Sequence, residues 1–303
     1  MSWFCVRVPA SSANLGPGFD ALGLALGVYL ECRFRRSGTL AISVEGRDSG
    51  SISTAADNLI WSTALAVARE HGMPLPPIEL RIRNDIPVGK GMGSSAAALT
   101  AGVVIADALL GLGWKPLRIL DQAARLEGHP DNVAACTLGS IVASAIDCGG
   151  VARAVRIDLP SAFGVAVVVP DFVLPTTHAR SVLPTGYSKQ DAVFNVQRAA
   201  LLIAALATGN TSAFPTALED RFHQPYRVSL VPGLDDVLKL RAPGLLGCAL
   251  SGAGPSVLVF FERGYESVAD LVRQVFRIHG HDAEVLLTDV APRGFELSEV
   301  AEV

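Results

Sequence analysis

The stretch from Ile86 to Leu99 constrains the fold of this chain more than any other. It places three glycines, Gly89, Gly91 and Gly93, within five positions, between a strand-like run and an alanine-rich run typical of a helix. Glycine can turn backbone N–H groups inward on a ligand, and the unpaired N–H groups at the start of the following helix would face the same space. Because this arrangement suits phosphate, we predict a nucleotide-binding loop.

Two familiar phosphate-binding patterns do not describe this loop. The P-loop pattern G-x-x-x-x-G-K-[ST] fails because Gly91 follows Lys90 where Ser or Thr is required. The dinucleotide pattern G-x-G-x-x-G fails because the spacing here is G-x-G-x-G. A glycine-rich turn that binds nothing would be the simpler interpretation of an isolated triplet, but this triplet is not isolated.

Composition limits the classes of function that the chain can have. Half of the 303 residues are hydrophobic and 18% are charged, which is typical of a globular protein long enough for two domains. The net charge of −4 argues against a nucleic-acid partner. The five cysteines contain no C-x-x-C pair, which argues against a zinc site or a disulfide framework and fits a reducing cytoplasm. We expect neither a signal peptide nor a membrane span.

The spacing of apolar residues predicts a mixture of strands and helices. Strands are predicted at 4–8, 22–34, 39–45, 78–83, 140–146, 152–157, 164–169, 247–250, 257–261 and 284–289. Helices are predicted at 58–71, with Asp57 as the cap, and at 94–110, 116–127, 192–207, 211–219, 233–241 and 265–278. Residues 170–188 are predicted to be a loop. This order favours an α+β sandwich with an antiparallel sheet.

Four polar, glycine-bearing segments stand out against the apolar background, namely residues 11–20, the glycine loop, 127–132 and 250–256. Together they resemble the motif set of the GHMP kinases, small-molecule kinases with a phosphate loop of the form P-x-x-x-G-[LM]-G-S-S-[SAG]-A. The resemblance covers essentially the whole chain.

Within that superfamily the chain most resembles the homoserine kinase family. Residues 9–20 match P-x-[ST]-[ST]-A-N-[LI]-G-x-G-[FY]-D, and residues 127–135 match E-G-H-x-D-N-V-A-[AP]. Residues 176–184 match T-x-x-A-R-x-x-L-P, and residues 220–227 match D-x-[FIL]-H-x-P-[YF]-R. The resemblance implies a GHMP kinase fold, with an N-terminal domain of the ribosomal-protein S5 domain 2 type at 1–158 and a ferredoxin-like C-terminal domain at 159–303. It also implies a homodimer.

The resemblance further implies that the chain binds ATP and Mg²⁺ and phosphorylates L-homoserine to O-phospho-L-homoserine on the way to threonine. ATP would lie on Pro87, Val88, Gly89, Lys90, Gly91, Met92, Gly93, Ser94, Ser95, Ala96 and Ala97. The Ser95 hydroxyl and the Glu127 carboxylate would hold Mg²⁺. One hydroxyl and one carboxylate suffice, because magnesium keeps phosphate and water in its remaining positions.

The residues that the resemblance implies for the substrate come from both halves of the chain. They are Asn14, Asp20, His129, Asp131, Thr176, Arg180, Arg227 and Gly252. Asp20 suits the ammonium group of an amino acid and would lie near the accepting hydroxyl. Arg180 and Arg227 suit the carboxylate, because a planar guanidinium pairs with it at two points.

Taken singly, several of these residues have ordinary structural explanations. Asp20 could be a turn residue, His129 a surface or core histidine, and Arg227 a cover for apolar surface. Glu127 ends a predicted helix, where the helix dipole disfavours a carboxylate by roughly 0.3–1 kcal/mol. A bound cation would compensate for that cost.

Asn132 bears on the mechanism. Some GHMP kinases use an aspartate as a base near this motif, and with registration from Gly139 the corresponding residue here is Asn132, whose amide cannot take a proton. We therefore expect Asp20, Asn132 and Arg180 to act by positioning and charge stabilisation, which phosphoryl transfer tolerates.

A kinase for mevalonate, shikimate or a cytidyl-methylerythritol is one alternative, and a non-catalytic ATP-binding regulator is another. The presence of both Ser95 and Glu127 argues against the regulator.

Overall fold

The computed structural model describes residues 2–159 and 162–301, which form a seven-stranded and a four-stranded β-sheet with helices packed on them. The strands are β1 (Trp3–Ala13), β2 (Leu22–Arg36), β3 (Ala41–Gly46), β4 (Ile78–Asn84), β5 (Ile141–Ile146), β6 (Ala152–Ile157), β7 (Gly164–Pro170), β8 (Leu245–Leu250), β9 (Val257–Phe261), β10 (Ala283–Thr288) and β11 (Glu296–Val300). The helices are α1 (Leu59–Glu70), α2 (Ser94–Leu110), α3 (Pro116–Glu127), α4 (Asp131–Leu138), α5 (Thr176–Ser181), α6 (Lys189–Thr208), α7 (Phe214–Ala217), α8 (Gln224–Arg227), α9 (Leu234–Lys239) and α10 (Val268–Ile278). Short 3₁₀ turns lie at Ser49–Ser51, Thr211–Ala213 and Val228–Leu230.

The larger sheet has the order β11-β1-β2-β4-β3, with β5 paired to β2 and β6 paired to β5. Its pairs are antiparallel, as predicted, except that β3 runs parallel to β4. β11 was not predicted, because its residues, mostly exposed, show no buried apolar face. Through β11 the chain returns to the first sheet after completing the second.

The smaller sheet has the order β10-β7-β9-β8 and is antiparallel throughout. Numbered along the chain, its four strands lie in the order 4-1-3-2, with helices between the first and second and between the third and fourth. This is the β-α-β-β-α-β arrangement of a ferredoxin-like domain, which the sequence resemblance implied. The α+β prediction is therefore confirmed.

Two local predictions were wrong, and one helix was not predicted. Asn58, not Asp57, caps α1, because its side-chain oxygen accepts hydrogen bonds from the N–H groups of Ile60 and Trp61 at 3.0 and 3.4 Å. The helix that was not predicted is α4, which follows Pro130 directly, after the helix at 116–127 has ended as predicted. α5 occupies part of the segment 170–188 that was predicted to be a loop.

A glycine in the middle of α2 lets α1 and α2 approach each other closely. A Cβ on Gly102 would lie 2.6 Å from the carbonyl oxygen of Ile60 and 2.6 Å from the Cβ of Thr63. Most of α2 is buried, including its alanines at 96, 97, 101 and 106. The glycine loop therefore leads into a helix that is held in the core.

Among the described residues α6 is the one helix long and apolar enough to cross a membrane, judged by length and composition only. Long helices on globular domains pass the same test. On α6, Asp191 pairs with Arg221 and Arg198 pairs with Glu219. These ion pairs fit a helix that is packed on the second domain.

Candidate active site

A cavity of about 500 Å³ opens at the glycine loop and is lined by residues from both halves of the chain. Its volume is in the range usual for small-ligand sites. The predicted site residues that line it are Asn14, Asp20, Val88, Gly89, Gly91, Gly93, Ser94, Ser95, Glu127, His129, Asp131, Asn132, Thr176, Arg180, Arg227 and Gly252. Segments that are far apart in sequence thus meet around one space.

Five residues of the predicted ATP loop lie behind the lining, namely Pro87, Lys90, Met92, Ala96 and Ala97. The ammonium of Lys90 donates hydrogen bonds to the carbonyl oxygens of Pro170 and Phe172, at 2.8 and 2.7 Å, and so ties the loop to the second sheet. Burial lowers the pKa of Lys90 below its usual value. The role predicted for these residues in ATP binding stays a prediction.

The three loop glycines all have left-handed backbone, with φ of 69°, 78° and 67° at Gly89, Gly91 and Gly93. A Cβ on Gly91 would lie 2.3 Å from the carbonyl oxygen of Ser251, and one on Gly93 would lie 2.0 Å from Oγ of Ser11. Backbone strain and contact with neighbouring atoms both require glycine at these two positions.

Ser95 and Glu127 lie side by side at the end of the cavity nearest the loop. Ser95 is in the first turn of α2, Glu127 is the last residue of α3, and the Ser95 hydroxyl donates to the Glu127 carboxylate at 3.2 Å. Burial raises the pKa of Glu127, and the charge of His129 partly opposes that rise. A desolvated carboxylate beside a hydroxyl and a phosphate-type loop is a donor set that fits Mg²⁺.

Asp20 is held in position by its own motif. Its backbone is left-handed, with φ of 54°, and its N–H donates to Oδ1 of Asn14 at 3.0 Å. The Asn14 amide in turn donates to the carbonyl oxygen of Gly252 at 2.8 Å. The Asp20 carboxylate accepts two hydrogen bonds from Arg180, at 2.7 and 3.1 Å. Such strained backbone is typical of functional sites.

Arg227 is 1% exposed although its side chain lines the cavity. It donates to the carbonyl oxygens of Ala179 and Gly252, at 3.0 and 3.1 Å, and to Nδ1 of His223 at 3.0 Å. Burial and the charge of Arg180 lower the pKa of Arg227 to about 10. The guanidinium thus remains charged at neutral pH although it is almost completely buried.

His129 and Asp131 form the third corner of the site. Nδ1 of His129 lies 2.8 Å from the Asp131 carboxylate. Burial alone would lower the pKa of His129, but the hydrogen bond and charge of Asp131, together with Glu127, outweigh burial and raise it. Thr176, the first residue of α5, lines the same cavity.

One wall of the cavity was missed by the sequence analysis. It contains the apolar side chains of Leu30, Ile52, Leu59, Ile60 and Ile82, with polar neighbours at Ser51, Ser53, Asp57, Asn58 and Asn84. Most of these apolar residues follow the periodicity of core positions, so the pattern does not separate them from the core. The available signal was the polar, turn-forming run at 47–57 before α1.

Comparison with known proteins identifies the family. Residues 58–140 match the model for the GHMP kinases N terminal domain, and residues 202–282 match the GHMP kinases C terminal model. The homoserine kinase of Solibacter usitatus is 74% identical over 297 residues, 98% of each chain. That of Moorella thermoacetica is 43% identical over 256 residues, 84% of this chain and 86% of the relative.

Solved structures agree. The crystal structure of a homoserine kinase from Cytophaga hutchinsonii matches with a TM-score of 0.85 at 28% identity, over 98% of both chains. A putative homoserine kinase from Listeria monocytogenes matches with a TM-score of 0.77 at 34% identity, over 97% of this chain and 99% of that one. The predicted GHMP kinase fold is confirmed, and the chain belongs to the homoserine kinase family.

Proposed function

We infer that this chain transfers the γ-phosphoryl group of ATP to the hydroxyl of L-homoserine, giving O-phospho-L-homoserine, a step of threonine biosynthesis. The observation that carries this inference is 74% identity to a homoserine kinase over 98% of the chain. The cavity supports it, because a glycine loop and a cluster of charged groups suited to an amino acid lie at one site. The reaction makes the chain a transferase.

The proposed nucleotide site is the loop at 87–97. The left-handed glycines and the free N–H groups at the start of α2 are suited to surround phosphate oxygens. Ser95 and Glu127 are proposed to hold Mg²⁺, which would neutralise charge on the phosphates. Lys90 contributes by anchoring the loop to the second sheet.

The proposed substrate site is the charged end of the cavity. Arg180 and Arg227 would bind the carboxylate of homoserine, and Asp20 would bind its ammonium group. Asn14 acts through Asp20, because its side-chain oxygen accepts a hydrogen bond from the Asp20 N–H. The rest of this wall of the cavity is formed by His129, Asp131, Thr176 and Gly252. This pairing of charges favours a substrate that has both groups over mevalonate or shikimate.

We propose that Asn132 takes part in the reaction without acting as a base. In a loose transition state the nucleophile needs little activation, and its proton leaves after the new P–O bond has begun to form. Positioning of the hydroxyl in line with the γ-phosphorus and stabilisation of charge on the phosphoryl oxygens are then the main contributions of the protein.

A coupled ADP-release assay with homoserine, mevalonate, shikimate and threonine tests this function. We expect rapid ADP release with homoserine and a product whose mass is that of O-phosphohomoserine. Rapid turnover of another alcohol, with none on homoserine, would overturn the proposal.

We also propose a cytoplasmic homodimer, as the family resemblance implies. Exposed apolar side chains on α6, Val193, Val196 and Leu201, are a surface that a second copy would cover. Sedimentation should then give close to twice the chain mass of 31.7 kDa, and the mass of a single chain would contradict the proposal.

A further inference from the structure

Ser11 connects the glycine loop to Asn132 from behind the cavity. Its side chain is fully buried, and its hydroxyl donates a hydrogen bond to Oδ1 of Asn132 at 2.9 Å. Its backbone N–H donates to the carbonyl oxygen of Met92 at 3.1 Å. The Cys136 thiol, whose Sγ lies 3.6 Å from the hydroxyl, has the carbonyl oxygen of Pro9 as its nearer acceptor at 3.3 Å, so Asn132 is the closest partner for the proton of Ser11.

Gly93 makes room for this hydrogen bond. A Cβ on Gly93 would lie 2.0 Å from Oγ of Ser11 and 3.1 Å from Oδ1 of Asn132. The bond between Ser11 and Asn132 therefore passes directly against the α-carbon of the loop glycine. A side chain at position 93 would break it whether or not nucleotide is bound.

The neighbours of Asn132 fix which way its amide points. The amide nitrogen lies 3.5 Å from a carboxylate oxygen of Asp131, an atom that accepts hydrogen bonds only. Turning the amide over would place its oxygen against that carboxylate and its NH₂ group against the Ser11 hydroxyl. With the oxygen occupied by Ser11, the NH₂ group is what Asn132 offers to the cavity that it lines.

We propose that Ser11 is a positioning residue that holds the Asn132 side chain as a hydrogen-bond donor toward the reacting oxygens. This inference rests on the proposed function. In phosphoryl transfer negative charge is spread over the equatorial oxygens, so a fixed N–H donor stabilises the transition state, whereas an amide oxygen facing them would repel it. Ser11 itself touches neither substrate and acts through Asn132.

The first test compares Ser11→Ala with Ser12→Ala by steady-state kinetics. Ser12 is equally buried and lies next in the chain, but its hydroxyl pairs with the Ser251 hydroxyl, 2.9 Å away, instead of with Asn132. We expect Ser11→Ala to lower kcat by about tenfold, with KM for ATP and for homoserine changed by less than about twofold. Ser12→Ala should keep kcat within about twofold of the wild type, and Ser11→Thr, which retains the hydroxyl, should restore most of the kcat.

The second test is a double-mutant cycle with Asn132→Ala. If Ser11 acts through Asn132, then Ser11→Ala lowers kcat no further in the Asn132→Ala background. If the double variant instead loses kcat by the product of the two single losses, the proposal is overturned. A rise in the KM for ATP at unchanged kcat would also overturn it, because Ser11 would then only support the loop. Should Ser11→Ala not fold, Ser11→Cys, assayed with a reductant, takes its place with the same expected loss.

Turnover by the wild-type protein distinguishes failure of the proposed function from failure of the positioning role of Ser11. Absence of homoserine turnover by the wild type would count against the proposed function. Normal wild-type turnover together with an unchanged kcat in Ser11→Ala would overturn the positioning role alone.

Discussion

The guanidinium of Arg180 donates two hydrogen bonds to the carboxylate of Asp20 at the charged end of the cavity, with N···O distances of 2.7 and 3.1 Å. Their side chains are 36% and 33% exposed, so both remain within reach of a ligand. An amino acid carries the same two charges. It can therefore bind by exchanging partners, with its carboxylate on Arg180 and its ammonium on Asp20, and leave no charge unpaired.

Replacing Arg180 by lysine should weaken homoserine binding. Lysine retains the charge but loses the planar fork, so we expect a loss of about 1.5–3 kcal/mol and a homoserine KM raised by about tenfold or more. The KM for ATP should stay nearly constant, and initial rates at varied concentrations of each substrate measure both. If the ATP KM rises while that for homoserine stays fixed, Arg180 belongs to the phosphate site.

Glu127→Gln should lower turnover by orders of magnitude in a folded protein. The substitution keeps the hydrogen bond to Ser95 available but removes the negative charge that we propose holds Mg²⁺. Rates measured over a series of magnesium concentrations test this. Near-normal activity with normal magnesium dependence would show that the metal is held elsewhere.

The same variant should stabilise the protein in the absence of magnesium. Burial raises the pKa of Glu127 in the folded state, so its contribution to stability is present at low pH and is lost as pH rises through that pKa. At neutral pH we expect Glu127→Gln to have the higher Tm, with the difference shrinking as the solution is acidified. Glu45→Gln, which changes an exposed carboxylate on β3, is the control and should leave Tm unchanged. A lower Tm for Glu127→Gln at neutral pH would contradict this account.

Gly93→Val should abolish ATP binding. The new Cβ would strain a backbone with φ of 67° and collide with Ser11, and so would displace the junction between the glycine loop and α2. Gly111→Val is a matched control, because Gly111 also has φ of 67° but a Cβ there would meet nothing within 4 Å. Calorimetric titration with a non-hydrolysable ATP analogue should show binding in the control only. Unchanged affinity in Gly93→Val would remove the loop from the site.

Much of the site could be predicted because its residues lie in short segments with distinctive chemistry. α2 and α3 begin and end where proline, serine and glycine predict, and so Ser95 and Glu127 fell correctly at helix ends. The contacts between segments could not be predicted from the sequence alone. The packing of the two sheets decides that Arg180 binds Asp20 and that Lys90 binds Pro170 instead of lining the cavity.

Local competition explains the remaining errors. Asp57 and Asn58 are both good helix caps, and only the position of the first helical N–H groups decides between them. α4 begins immediately after a proline that also ends the preceding segment, and its small residues pack against β1 and β2 rather than forming a marked apolar stripe. β11 is held by pairing to β1, a long-range contact that its own residues do not indicate.

The return of the chain to β1 ties the two sheets together beneath the cavity. β11 pairs with β1 after β10 has completed the second sheet. One cluster of buried side chains also extends through both sheets, since it contains Val8 of β1, Val167 of β7 and Phe260 of β9. The two sides of the cavity, which carry Asp20 and Arg180, therefore rest on one continuous core.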